Sequence, residues 1–283
     1  MDAVVHCLGP QGTFSHILAL KRFGRGVPCR FQQTLEEVVE GMLADVGSAA
    51  ILPIENSSGG TVADSIDILI RRVGEMHVTE EVSLDVRIAL LGKPGAKPKV
   101  VYSHFTQIKH YGEWLRKKFP GLRLQPVEST ATAARKASRS MSAAALAAPS
   151  AAEIYRLAAL TRLPSRGEPN VTNFYILRTG PPPKKPVREA NVQAKWKTAL
   201  VAALPDVCGS LHAFLGPFAE LGVNMTRIIS RPVRGCPNRY VFFIEIEGDS
   251  HEGPAERAIE MASQLAENLS VLGTFPSGRH LQT

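Results

Sequence analysis

Ile51-Leu-Pro-Ile-Glu-Asn-Ser-Ser-Gly-Gly-Thr-Val62 decides how this chain is to be read. The apolar run from Ala49 to Leu52 spells the end of a buried parallel strand. Pro53 has no N–H to give a ladder and marks where pairing is expected to stop. A polar turn follows. In it Glu55, Asn56, Ser57 and Ser58 supply donors and acceptors, while Gly59 and Gly60 let backbone N–H groups come close to a bound group. Val62, Ile66, Leu69 and Ile70 then repeat at helical spacing. A strand, a loop rich in hydroxyls and glycine, and a helix N-terminus together suit a small anion such as a carboxylate. An ordinary βα turn capped by serines has the same residues, and the loop alone does not separate the two readings.

Working outward, three more junctions have this design. Gly9 to His16 brings Thr13, Phe14 and Ser15 to a helix start, and Glu128 to Ala134 does the same with Ser129 and Thr130. Asn170 and Thr172 stand just before a strand containing Phe174, Ile176 and Leu177. Capping is the commoner use of one such hydroxyl. Four of them, at Thr13, Ser57, Thr130 and Thr172 of an alternating α/β chain, predict strand ends converging on one cleft. His104, at a further helix start, is a candidate proton donor or a surface cap. Glu80 to Leu91 and Lys99 to Tyr102 read as strands, and Ala151 to Leu157 as a helix.

The 283 residues allow two domains, and 44% hydrophobic content with both charge signs mixed marks a folded chain. No run approaches the ~18 apolar residues of a membrane span, and the N-terminus lacks a basic-then-apolar layout, so a cytoplasmic protein without a membrane partner is expected. Cys7, Cys29, Cys208 and Cys236 lie far apart without metal-ligand spacing, which predicts buried free thiols and no metal. The net charge of +7 raises nucleic acid as a partner. The basic clusters are short and not interleaved with aromatics, which argues against it and for a small anionic metabolite.

Thr179-Gly-Pro-Pro-Pro-Lys-Lys-Pro186 is a domain boundary, since consecutive prolines favour an extended, semi-rigid linker. Beyond it strands over 197–204, 223–231, 239–247 and 269–275 and helices over 208–221 and 254–268 give a βαββαβ, ferredoxin-like order. Nothing in that unit looks catalytic, which points to regulation or assembly.

The motifs Gly9-Pro-Gln-Gly-Thr-Phe-Ser15, Pro53-Ile-Glu-Asn-Ser57, Val101-Tyr-Ser-His104, Ser129-Thr-Ala-Thr-Ala-Ala134 and Asn170-Val-Thr-Asn-Phe174, with Gly209-Ser-Leu211 and Ser230-Arg-Pro232, carry a resemblance. The chain resembles prephenate dehydratases with a C-terminal ACT regulatory domain. The resemblance implies a two-lobed catalytic domain of the periplasmic-binding-protein type over 1–179, with lobes of 1–76 plus 164–179 and 77–163, a linker over 180–195 and an ACT domain over 196–283. It implies decarboxylating dehydration of prephenate to phenylpyruvate for phenylalanine synthesis, without a cofactor. Thr172 matches the catalytic threonine, a positioned hydrogen-bond donor to the leaving oxygen. Thr13, Phe14, Ser15, Glu55, Asn56, Ser57, His104, Ser129, Thr130, Asn173 and Phe174 match substrate-binding positions. Gly209, Ser210, Leu211, Asn224, Ser230, Arg231 and Pro232 match an effector site for phenylalanine. A homodimer or dimer of dimers follows from the regulatory domain.

Some positions depart from the family pattern. Asn173 stands where arginine is usual and removes a positive charge, which Arg87 on another strand is a candidate to restore. Phe105-Thr106 and Arg87-Ile88-Ala89 also differ, and Ile229 replaces an effector-motif glutamate, which predicts a weak or altered response to phenylalanine. Three function classes follow: the dehydratase, a same-fold enzyme that dehydrates arogenate or only decarboxylates prephenate, and a ligand-binding protein without catalysis.

Overall fold

The computed structural model describes residues 4–164, 167, 169–184, 195–233, 235–236 and 239–282. The core of the expected linker, 185–194, lies outside the described residues. The first sheet runs β16-β5-β11-β3-β1-β2. Its strands are β1 (Val5–Leu8), β2 (Cys29–Gln32), β3 (Ala49–Asn56), β5 (Met76–Asp85), β11 (Val171–Thr179) and β16 (Arg279–Leu281), and β4 (Gly60–Thr61) folds back on β3. The helices α1 (Phe14–Phe23), α2 (Leu35–Ala44) and α3 (Ala63–Arg71) accompany it. Thr13 caps α1 by accepting from the His16 N–H, and Thr34 caps α2 through the Glu37 N–H.

The second sheet runs β10-β6-β9-β7-β8, from β6 (Ala89–Gly92), β7 (Val100–Ser103), β8 (Arg123–Pro126), β9 (Ala143–Ala147) and β10 (Ala158–Thr161). It carries α4 (Phe105–Lys118), α5 (Thr130–Ala137) and α6 (Ala151–Tyr155). Every residue of β9 is buried, and α5 sets Ala133, Ala134 and Ala137 against it; small side chains let helix and sheet approach closely. The third sheet runs β13-β14-β12-β15, from β12 (Lys195–Ala203), β13 (Met225–Pro232), β14 (Tyr240–Glu247) and β15 (Asn268–Ser277). With α7 (Ser210–Glu220) and α8 (Gly253–Ser263) it forms the βαββαβ module. Leu200, Ala202 and Ile244 on one face pack with Phe214 and Phe218 of α7, while Ala199, Val201 and Phe243 on the other join the core of the first sheet with Tyr175 and Leu177.

Four features depart from the sequence expectations. Pro53 does not end β3. The strand continues to Asn56 against β11, and a bulge sets Phe174 opposite Pro53 and Asn173 opposite Glu55. A proline is tolerated where the ladder is already irregular. β5 pairs with β11 along its whole length, and the chain leaves the first sheet only after Asp85. The strand read over 80–91 is accordingly two strands, β5 and β6. β16 was not foreseen; it returns from the far end of the chain to pair with β5 in parallel. Lastly, Cys7 is buried but Cys208 and Cys236 are exposed, so burial holds for only part of the cysteine set.

The module lies close against β5. A Cβ on Gly273 of β15 would stand 2.4 Å from the carbonyl oxygen of Val78, so glycine is required by the approach of the two backbones.

Candidate active site

The cleft between the first and second sheets holds a cavity of about 470 Å³. Thr13, Phe14 and Ser15 reach it from the start of α1, Asn56 from the end of β3, and Thr172 and Phe174 from β11. The helices of the second sheet supply His104 at the start of α4 and Ser129 and Thr130 at the start of α5. Each side chain arrives because a strand or helix ends there. Leu8, Pro53, Val62 and Val86 add apolar wall.

Asn56 organises the first-lobe side. Its Nδ2 donates to Thr172 Oγ1 at 2.9 Å, to Asn170 Oδ1 at 2.8 Å and to the Val171 carbonyl at 3.2 Å. Its Oδ1 accepts from the backbone N–H groups of Ser58 and Gly59 at 2.9 and 2.8 Å. The amide is therefore consumed in holding the loop and Thr172. Thr172 is buried, and because Asn56 donates to its oxygen, its own proton is left for whatever occupies the cavity.

Capping and cleft lining coexist in the other hydroxyls. Thr13 Oγ1 donates to the Leu8 carbonyl at 2.7 Å while accepting from His16 N–H. Ser129 accepts from Thr132 N–H at 3.0 Å and faces the cavity. His104 makes no capping hydrogen bond, and burial holds its imidazole below the usual range, so it is neutral at pH 7.

Three of the expected substrate-binding residues point elsewhere. Ser57 Oγ donates to the Pro169 carbonyl at 3.1 Å and accepts from Val171 N–H at 3.0 Å, splinting β3 to β11. Glu55 and Asn173, opposite each other across the bulge, lie on the other face of the sheet, because successive residues of a strand alternate. Asn173 Oδ1 accepts from Ser83 Oγ at 2.7 Å, and Glu55 Oε2 accepts from Arg227 Nη2 at 2.7 Å. Arg87 does not restore the missing charge there. It lies 3.8 Å from Asp85 and lines a different cavity of about 750 Å³. Arg227 is the cation beside Asn173's neighbour.

The cavity also has residues that sequence reasoning missed. Phe105, Thr106, Gln107 and Lys109 line it from the first turns of α4. Lys109 brings a positive charge, and Gln107 Oε1 is buried without a hydrogen-bond partner among the described residues. Their place in the first two turns of the helix that His104 opens was the available signal.

Among the expected effector residues, Gly209 caps α7 with φ of +83°, a conformation that favours glycine, and Ser210 and Leu211 form the first turn. Ser230 and Pro232 of β13 and nearby Asn224 are exposed. Arg231 is engaged within the chain, in a two-pronged pair with Asp67 of α3 at 2.5 and 2.7 Å.

Residues 5–182 match the family model described as prephenate dehydratase. The chain is 32% identical over 289 residues to arogenate dehydratase/prephenate dehydratase 1, chloroplastic, of Arabidopsis thaliana, covering 95% of this chain and 71% of that protein. A prephenate dehydratase from Arthrobacter aurescens, solved in complex with L-Phe, superposes with a TM-score of 0.84 at 25% identity, over 97% of this chain and 90% of the other. GqqA, described as a novel type of quorum quenching acylase, gives the same TM-score and identity over 97% and 98%. With its family motifs gathered at one cleft, this chain belongs to the prephenate dehydratase family.

Proposed function

We propose that the cleft converts prephenate to phenylpyruvate, carbon dioxide and water, the step that feeds phenylalanine synthesis. The observation that carries the reading is the hydrogen bond from Asn56 Nδ2 to Thr172 Oγ1. It supports a role for Thr172 as a donor, since its own proton stays available to a group in the cavity. As the ring carboxylate leaves, the electrons of its C–C bond enter the ring and the 4-hydroxyl departs with a pair of electrons. Thr172 donates to that oxygen as negative charge develops on it, and a solvent proton completes the water. Aromatisation supplies the driving force, so anchoring and one aimed donor suffice. Lys109 and the N-terminal turns of α1 and α5 are placed to meet the two carboxylates, with Phe174 against the ring.

Incubation of the purified protein with prephenate tests this. Phenylpyruvate with equimolar carbon dioxide is expected, falling about 100-fold or more in Thr172→Ala, as for loss of an aimed donor. A decarboxylated, non-aromatic product, or bound but unchanged prephenate, would overturn it. The Arabidopsis relative's name adds arogenate as a second substrate to be assayed. The unpartnered Gln107 Oε1 is an acceptor that either substrate's donor group would satisfy. The acylase reading suggested by GqqA fares worse on chemistry. A hydroxyl nucleophile needs a base on its proton, whereas the side chain hydrogen bonded to Thr172 Oγ1 among the described residues is the Asn56 amide, which is not a base.

The βαββαβ module is assigned as an ACT regulatory domain, and the two-sheet unit as a catalytic domain of the periplasmic-binding-protein type. Phenylalanine is the proposed effector, with a weakened response because Ile229 offers no acceptor for an amino group and Arg231 is tied to Asp67. Exposed Val207, Leu211, Ile228 and Tyr240 on the module support assembly as a homodimer or dimer of dimers, which light scattering would test.

A further inference from the structure

The loop of residues 56–62 is bracketed by two ion pairs to one strand of the regulatory module. Before it, Glu55 Oε2 accepts from Arg227 Nη2; after it, Asp67 is gripped by Arg231. Arg227 and Arg231 lie four residues apart on β13, so both project from the same face, toward the first sheet. The Arg227 side chain is only 9% exposed, its other prong donating to Glu245 Oε2 at 3.0 Å, and Glu245 in turn accepts from Lys197 and Thr226. Glu245 is thus the buried end of the clamp, and Glu55, 41% exposed, is its outer end. The residue next to Glu55 is Asn56, whose amide sets the Thr172 hydroxyl and caps the Ser58 and Gly59 N–H groups.

We propose that Arg227 is a positioning residue for the cleft: by holding Glu55 it keeps Asn56 on Thr172, so that the regulatory module sets the geometry of the catalytic donor through β13. The same geometry gives a way to replace it. Asn173 is directly opposite Glu55 on the same sheet face, a spacing at which a guanidinium on β11 reaches the carboxylate from the neighbouring strand. A cation on the sheet and a cation from the module are then alternative partners for one carboxylate, and this chain uses the one from the module.

The proposal rests on the dehydratase reading for its kinetic readout only. Turnover of prephenate is measured for the unmodified protein, Glu55→Gln, Arg227→Gln, their double variant, and Arg227→Gln with Asn173→Arg. Each single change is expected to lower kcat about tenfold with KM within about threefold, and the double variant to be no slower than the slower single, as for two residues acting through one contact. Asn173→Arg is expected to return most of the kcat lost in Arg227→Gln, which a purely structural role for Arg227 would not predict. Glu55→Gln keeps Arg227 on Glu245 and so tests the cleft even where Arg227→Gln folds poorly. In parallel, amide hydrogen exchange at Ser58 and Gly59 is followed in the same proteins; about tenfold faster exchange is expected in both singles, reversed by Asn173→Arg. Unchanged kcat in Glu55→Gln, multiplied losses in the double variant, or no rescue would overturn the proposal. If the unmodified protein forms no phenylpyruvate, the dehydratase reading fails by itself, and the exchange rates still decide the clamp, with unchanged protection at Ser58 and Gly59 overturning it.

Discussion

The two walls of the cleft are built on opposite plans. On the wall built by the first sheet, Asn56 and Thr172 are cross-braced from behind by Asn170 and Ser57, with the Asn56 amide hydrogen bonded at both ends. On the wall built by α4 Phe105 is 64% exposed at the rim, Lys109 is exposed, and Gln107 holds a buried acceptor with no partner among the described residues. A group aimed at a transition state must be fixed before the substrate arrives, because reorienting it costs the rate it would supply. A group that recognises ground-state charge can take its position on binding. The first wall therefore suits the chemistry and the second suits capture.

That contrast breaks or sharpens under four measurements. Asn56→Ala frees Thr172 and uncaps the loop at once, and kcat is expected to fall about 100-fold or more, since several hydrogen bonds of about 1 kcal/mol each go together. A change confined to KM would erase the division of labour. Lys109→Met on the opposite wall removes a cation from a dicarboxylate site. KM for prephenate is expected to rise about tenfold, the cost of one charge-assisted contact, with kcat held within about threefold. Gln107→Leu fills an unpaired site with an isosteric apolar group, and steady-state kinetics with both substrates should show a loss of about threefold, larger for the one that donates to Oε1. The smallest effect concerns pH. His16 Nδ1 accepts from Gly12 N–H, and burial lowers its pKa. With the folded value below the unfolded one, the unfolded chain takes the proton first. The stability from His16 is then complete above about 6.5 and is lost as pH falls through its lower folded value. Thermal melts between pH 7.5 and 5 should fall more steeply for the unmodified protein than for His16→Gln.

The sequence made the cleft legible where a residue's role is local. Thr13, Ser129 and Thr130 stand at helix starts because hydroxyls belong there, and the same geometry brings them to the cavity. By polarity Asn170 and Thr172 stand just before their strand, whereas β11 begins at Val171. Once inside a strand, Thr172 and Asn173 must face opposite ways, so Asn173 left the cleft and Glu55 went with it. Arg227 could not be found from spacing, because 172 residues separate it from Glu55 and only the packing of the module on the first sheet joins them. Glu81, beneath the same junction, is also set by distant residues. Burial and nearby Glu245 push its carboxyl up, against Lys197 at 2.7 Å.

β16 places a late constraint on how the molecule is made. The catalytic sheet is complete as far as β11 once residue 179 has been synthesised, yet one edge of β5 has no neighbour until Arg279–Leu281 arrive. Until then a half-finished enzyme offers unpaired N–H and C=O groups of the kind that recruit other chains. The last strand closes a loop of nearly two hundred residues, a contact that forms slowly because its entropy is paid before any of its pairing is gained. Pairing of β16 with β5 thus ties the end of the βαββαβ module to the edge of the first sheet, beside the point where Gly273 already meets Val78.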